Sequence, residues 1–367
     1  MKPETLRAEM PGLAETAYLN TGAAGPSPRR VVEASERALE RFEYESPAEG
    51  MYDEAFATFD EARAAAADHV GADHDDVALT ESTTDGVGRL VAAMDWQPGD
   101  VVVHTDLEHP AGTFPCERVR RLDGIEVRVA ETEGGRIDRE AYAEAVADAR
   151  LVVFSSLTWT HGTRLPVAEL VEVAHDAGAR VLVDAVQSVG QGPVEFPAWG
   201  ADAVAAAGHK WLMGPWGAGF LYVAPDFASE LTPPVVGYRG VADADDGDYT
   251  LRPDARRFEV GTGAVGPAAG LTEAIGVVEE LGYDSITARV ERLTDRLKAG
   301  LDPDSLRSPR EYESGLVSFT VDDPETTVER LADAGVRIRS IPVEDTVRVS
   351  VHVFNTAEDV DRLLDAL

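Results

Sequence analysis

The chain has 367 residues, and Lys plus Arg at 33 against Asp plus Glu at 67 gives a formal net charge of −34. So acidic a surface repels phosphate backbones and anionic lipid, which sets nucleic-acid and membrane partners aside. Apolar residues make up 44%, enough to bury a core and exclude general disorder. No apolar run reaches the ~18 residues of a membrane span.

The length is more than one compact domain usually holds, so a large domain with a smaller companion is expected. The polar start MKPETLRAEM is not a secretory leader, and the single cysteine, Cys116, fits a reducing compartment. A cytoplasmic protein is the expectation. Lysine occurs only at Lys2, Lys210 and Lys298, the other basic residues being arginine. An acidic, lysine-poor surface suits a cytosol rich in salt, because salt screens the repulsion between carboxylates. A halophilic source follows as an expectation.

In chain order, the Ala-rich stretch Asp60–His69 predicts a helix, and from about residue 75 apolar runs alternate with amphipathic ones. Strands are expected at Asp76–Thr80, Asp100–His104, Ile125–Ala130, Leu151–Ser155, Arg180–Asp184, Ala201–Ala207 and Ala218–Val223. Helices are expected at Thr84–Met94, Gly112–Arg121, Arg139–Ala149 and Val167–Ala177, where apolar residues recur every three or four positions. Such alternation predicts an α/β fold whose mainly parallel sheet is covered on both faces. The last two strands follow each other without a helix, which predicts one antiparallel edge. Thr232–Arg256, rich in turn residues and Asp, reads as a long functional loop. A helical region from Pro267 to about Leu301 breaks near Gly282, and a small α/β unit closes the chain. The domains are drawn at 1–20 (a segment packing on the small domain), 21–265 and 266–367.

Lys210 follows an apolar strand within Gly208-His209-Lys210-Trp211-Leu212-Met213-Gly214. An amine in apolar surroundings loses hydration of its charged form, which lowers its pKa and frees it as a nucleophile. Arginine cannot form a Schiff base, so imine chemistry in this chain points to Lys210. A lysine snorkelling from a strand end is the plainer alternative. Asp184 ends the run Arg180–Asp184, where open α/β sheets bind ligands. There it can keep a pyridine nitrogen protonated, with Gln187 reaching the phenolic oxygen of the same ring; alone, such an Asp is more often a turn or cap residue.

The run Val183-Asp184 to Gln187, followed by Gly208-His209-Lys210, resembles the class V aminotransferases, including cysteine desulfurases and relatives of isopenicillin epimerase. The likeness implies pyridoxal 5'-phosphate (PLP) as cofactor, Lys210 as its Schiff-base lysine, and the type I fold of PLP-dependent transferases. That fold has a large domain with a mainly parallel seven-stranded sheet and a small C-terminal α/β domain. It also implies that Thr83 and Thr84, in the turn Glu81-Ser82-Thr83-Thr84-Asp85-Gly86, hold the phosphate with His209, as suits a helix N-terminus. His109 of Glu108-His109-Pro110-Ala111 would stack on the cofactor ring, and Thr262 would reach the phosphate of the neighbouring subunit in a homodimer. Arg348 would clamp a substrate α-carboxylate, although by itself it could equally be a structural ion-pair residue.

Three departures are visible. Ala207 replaces the family's serine before Gly-His-Lys. Trp159 stands where the desulfurases carry asparagine, as in the epimerase branch. The loop bearing the desulfurase cysteine is absent, since Arg339-Ser340-Ile341-Pro342 runs almost directly into Arg348. Cys116, on a predicted helix, reads as buried and inert. These features reject cysteine desulfuration by the usual persulfide route. An aminotransferase acting on an α-amino acid is the default expectation, with C–S lyase or epimerase chemistry as its nearest rival. Trp159, His161, Trp216, Tyr238 and Arg339 are the candidates for substrate discrimination. Two other classes compete: a metal-dependent hydrolase built on His104, Asp106 and His109, and a cofactor-binding protein without turnover. The glycine-rich stretches fit neither a dinucleotide nor a Walker loop.

Overall fold

The computed structural model describes residues 1–245 and 247–367, without the side chain of residue 49. After a two-residue strand β1 (Ala17–Tyr18), the large sheet uses β2 (Val77–Thr80), β3 (Val101–Thr105), β4 (Glu126–Ala130), β5 (Leu151–Ser155), β6 (Arg180–Asp184), β7 (Ala203–Ala207) and β8 (Gly219–Val223). An exposed hairpin, β9 (Val241–Asp245) and β10 (Asp248–Leu251), lies within the stretch expected to be a loop, whose residue 246 is outside the described residues. The C-terminal part adds β11 (Leu316–Thr320), β12 (Val336–Arg337), β13 (Arg339–Ser340) and β14 (Thr346–Ser350).

Strands β3, β5, β7 and β8 are buried at every residue, which is why their sequences run apolar and not alternating. Period two still decides the layers. Val103, Val152, Val183 and Val204 pack into one core, while Val102, Val153, Leu182 and Ala205 pack into the other. Strand order is β2-β8-β7-β6-β5-β3-β4. The pairs among β3, β4, β5, β6 and β7 are parallel, and β8 is antiparallel to both β7 and β2. The expected antiparallel edge is therefore corrected: β8 lies inside the sheet, because β2 returns from earlier in the chain to cover it.

This topology gathers the carboxyl ends of β2, β3, β5, β6 and β7 along one edge of the sheet, where the chain order reverses between β3 and β5. The small side chains of Ala203-Val204-Ala205-Ala206-Ala207 let the helix Thr83–Ala93 approach closely; a Cβ on Gly86 would stand 3.4 Å from the Ala205 methyl.

Beyond Gly282 the sheet β11-β14-β13 forms a second layer. The N-terminal segment reaches it: β1 pairs in parallel with β12, and Arg7 makes a two-pronged ion pair with Asp359 at 2.9 and 3.0 Å. Among the described residues no helix is long and apolar enough to cross a membrane.

Candidate active site

A cavity of about 170 Å³ opens at that sheet edge. Its lining includes Thr83, Thr84, His109, Trp159, Asp184, Gln187, His209, Lys210, Arg339 and Arg348. Residues far apart in sequence thus share one cavity, without Thr262, whose expected place is the site of a neighbouring subunit. That residue lines a separate and larger cavity with Tyr238.

Lys210 follows β7, in a segment that reverses direction before β8. Burial pulls its ammonium pKa down to about 8, opposed by Asp184 and helped by Arg348 and Arg339. The amine is nucleophilic only when neutral, that is, above this pKa. Uptake of PLP by cofactor-free protein is accordingly expected to rise with pH through about 8 and then level off. A rate that is flat between about pH 6 and 10 would contradict a desolvated amine.

Asp184 is the last residue of β6 and is 4% exposed. One carboxylate oxygen accepts from the Val186 N–H at 2.9 Å, and among the described residues no other donor reaches the group. Burial raises its pKa, with the Val186 bond and Lys210 acting the other way. A cation placed beside the remaining oxygen would keep it ionised.

Thr83 and Thr84 open the helix Thr83–Ala93, capped by Ser82, whose hydroxyl accepts from the Asp85 N–H at 3.1 Å. Their free N–H groups face the cavity end of the helix, and the buried Thr83 hydroxyl has no partner. His109 caps the helix Pro110–Asp123: its Nδ1 accepts from the Ala111 N–H at 3.1 Å, which leaves the neutral ring's proton on Nε2. Burial, then the charges of Lys210, Arg339 and Arg348, push its pKa down to about 4. Its ring meets Trp159 edge-on at 5.1 Å. His209, also lowered to about 4 by burial and by Lys210, packs against Trp216 with the rings tilted at 4.8 Å.

Arg348 is the most telling residue. It is 1% exposed and sits in the middle of β14, directly opposite Arg339 on β13. Nη1 donates to the Trp159 carbonyl at 3.0 Å, whereas Nε and Nη2 are buried without partners. The structural ion-pair alternative finds no partner: among the described residues the Arg348 guanidinium bonds only the Trp159 carbonyl, and the one charge acting on it is that of Arg339. Desolvation, with Arg339 nearby, pulls the Arg348 pKa down to about 9. Like charges directly opposite in a sheet repel, and an anion beside the pair would relieve that repulsion.

The remaining candidates divide. Gln187 donates to the Gly22 carbonyl at 3.0 Å and accepts from Trp211 Nε1 at 2.8 Å, leaving one N–H free. His161 is bonded to the Thr160 hydroxyl at 2.9 Å and does not line the cavity. The metal alternative loses its geometry. The His104 ring bonds the Thr105 carbonyl, Asp106 accepts from Thr132, and among the described residues no cluster of three metal-ligating side chains exists. Cys116 is fully buried, its thiol pushed up to about 12 by burial and the nearby carboxylates of Glu108 and Glu117. Sequence reasoning missed the importance of Glu108. Its buried carboxyl accepts from Thr105 Oγ1, Ser155 N–H and Ser155 Oγ at 2.7, 3.0 and 2.6 Å, tying the His109 turn to the end of β5. The only cue was its spacing of three from Thr105.

The unpartnered Thr83 hydroxyl beside a helix N-terminus, the half-used Asp184 carboxylate and the desolvated Lys210 amine match the phosphate, ring nitrogen and aldehyde of PLP. Comparison with known proteins agrees. Residues 17–363 match the family described as Aminotransferase class-V. A probable cysteine desulfurase of Methanothermobacter thermautotrophicus is 31% identical, over 100% of this chain and 98% of that protein. An isopenicillin N epimerase of Streptomyces clavuligerus is 30% identical, over 95% of this chain and 93% of its own length. The solved complex of the cystine C–S lyase C-DES with its product cysteine persulfide superposes with a TM-score of 0.91 at 28% identity, covering 97% of this chain and 98% of that one. A lysine, an acid and a phosphate-ready helix end, on a fold matched from end to end, make this chain a PLP-dependent enzyme of the class V aminotransferase family.

Proposed function

We propose that the enzyme is a carbon–sulfur lyase that splits a sulfur-bearing amino acid, with cystine as the representative substrate, by β-elimination. The observation that carries this reading is the state of the chain's one thiol. Cys116 is 0% exposed and held near pKa 12, its Sγ donating to the Gly112 carbonyl at 3.3 Å. A persulfide relay needs a mobile thiolate, and this sulfur is neither mobile nor ionised. Sulfur would therefore leave on a small molecule. Aminotransfer, expected from the family's breadth, gains no specific support from relatives named desulfurases and epimerase.

Bound PLP supplies an electron sink for charge developing at the substrate Cα. In this reading the chain's residues do the rest. Arg348 holds the α-carboxylate through the two donors that lack partners, and Arg339 meets the second carboxylate of a cystine-like substrate. Lys210, neutral above about pH 8, carries the cofactor and then accepts the Cα proton. Asp184 would keep the ring nitrogen charged, His109 would lie beside the ring, and Thr83, Thr84 and His209 would hold the phosphate. Cystine and water would yield cysteine persulfide, pyruvate and ammonia, with the sulfur–sulfur bond intact. Thr262, outside this cavity, is proposed to complete the phosphate site of a second copy in a homodimer.

The variant Cys116→Ala is expected to release sulfur at a rate within about twofold of the parent, because a buried small thiol contributes packing and no chemistry. A loss of about tenfold or more with the fold intact would return the reaction to a protein-bound persulfide.

A further inference from the structure

We infer that Trp211 and His352 are positioning residues for the cofactor lysine: they tie Lys210 and Gln187 to the C-terminal sheet, so the lysine's environment is set from outside the cavity. The inference rests on Lys210 carrying the cofactor and is independent of which substrate bond is broken.

Between β7 and β8 the chain has no regular ladder, yet Trp211, Leu212 and Met213 are fully buried. Their backbone groups must find partners elsewhere. Three successive carbonyls around the lysine are taken by three different parts of the chain. The His209 carbonyl accepts from the Gly25 N–H at 2.8 Å, and that of Lys210 from the Met213 N–H at 3.1 Å. The Trp211 carbonyl accepts from His352 Nε2 at 2.8 Å. Gly25 is required here, since a Cβ would fall 2.0 Å from the Lys210 oxygen. Met213 adopts φ +58°, a left-handed conformation that a residue with a Cβ keeps only when its surroundings fix it.

Burial pushes the pKa of His352 down to about 4, so its ring is neutral, and the nitrogen bonded to a carbonyl must carry the proton. The Trp211 ring stands edge-on to His352 at 5.3 Å and lies close over Gly315, where any Cβ would come within 3.0 Å of it. Its indole N–H holds Gln187 Oε1, and Gln187 in turn holds the Gly22 carbonyl. Trp211 and His352 do not line the cavity, whereas Lys210 and Gln187 do. Cutting either bond strands a buried acceptor and lets the lysine segment or the Gln187 amide reorient.

The test uses PLP-loaded protein and a spectrophotometric pH titration of the visible Schiff-base band, with thermal unfolding and cofactor release measured beside it. Trp211→Phe keeps a ring and loses the N–H; His352→Phe keeps a ring and loses the donor; His352→Gln restores a donor of similar reach. Both Phe variants are expected to move the titration midpoint by about half a pH unit or more and to release cofactor several times faster. His352→Gln should stay within about 0.2 unit of the parent. An unmoved midpoint in either folded Phe variant overturns the inference, as does a His352→Gln shift as large as that of His352→Phe. Should one Phe variant fail to fold, the other decides alone. Failure of the lysine assignment would look different, because Lys210→Ala would then keep its band.

Discussion

Lys210→Ala is expected to abolish the visible cofactor band and to lower turnover by about 10⁴-fold or more, since in the proposed assignment one residue supplies both the imine and the proton transfer. No other lysine in the chain can substitute. Lys2 is exposed near the terminus, and Lys298 is half-buried on the helix Tyr283–Gly300 with its Nζ donating to the Glu311 carbonyl at 2.9 Å. The surrounding geometry supports so large a loss. Among the described residues, the Lys210 ammonium has only Asp184 as an opposing charge, against burial and two guanidinium groups that favour the neutral amine. Absorbance and turnover measured on the reconstituted variant check the expectation. Normal turnover would remove the assignment.

Arg348→Met separates binding from stability. Two donors of a 1%-exposed guanidinium wait without acceptors, so the cofactor-free protein holds a buried charge it does not compensate. Replacing such a group by an apolar chain of similar length is often stabilising, by about 1–4 kcal/mol. The same change removes the proposed bidentate site for the α-carboxylate, and KM should rise by about 10²–10³-fold. Thermal unfolding of the cofactor-free variant and steady-state kinetics of the loaded one provide the two readings. A lower melting temperature together with an unchanged KM would mean that Arg348 belongs to the core and not to the substrate.

Much of this site was legible before the structure because its parts lie at strand ends. Buried parallel strands are apolar throughout and stop abruptly, so Asp184 and Lys210 stand out at the boundaries of runs that become β6 and β7. Helix ends announce themselves similarly, as with Ser82-Thr83-Thr84 and His109-Pro110. Properties set by distant pairing were not legible. The place of β8 inside the sheet depends on β2, more than a hundred residues earlier. The register that sets Arg339 against Arg348 depends on how a two-residue strand returns to β14. The partners of Gln187 come from Gly22 and Trp211, and the partner of Trp211 from His352. Apolar periodicity carries no trace of such bonds, because they join single residues across the whole chain. The burial of Cys116 was readable from its helix, but not its neighbour Glu108, whose carboxyl sits near pKa 7 through burial opposed by three hydrogen bonds.

The proposed carbon–sulfur lyase, whose one thiol is buried, would have to put its sulfur into solution. Purified, PLP-loaded protein given cystine in high salt, with no oxo-acid acceptor present, tests this directly. Pyruvate and cysteine persulfide in equal amounts are the expected products, undiminished after thiol-blocking of the enzyme. A keto acid that forms only when an amino acceptor is added, with the carbon–sulfur bond still whole, would contradict it.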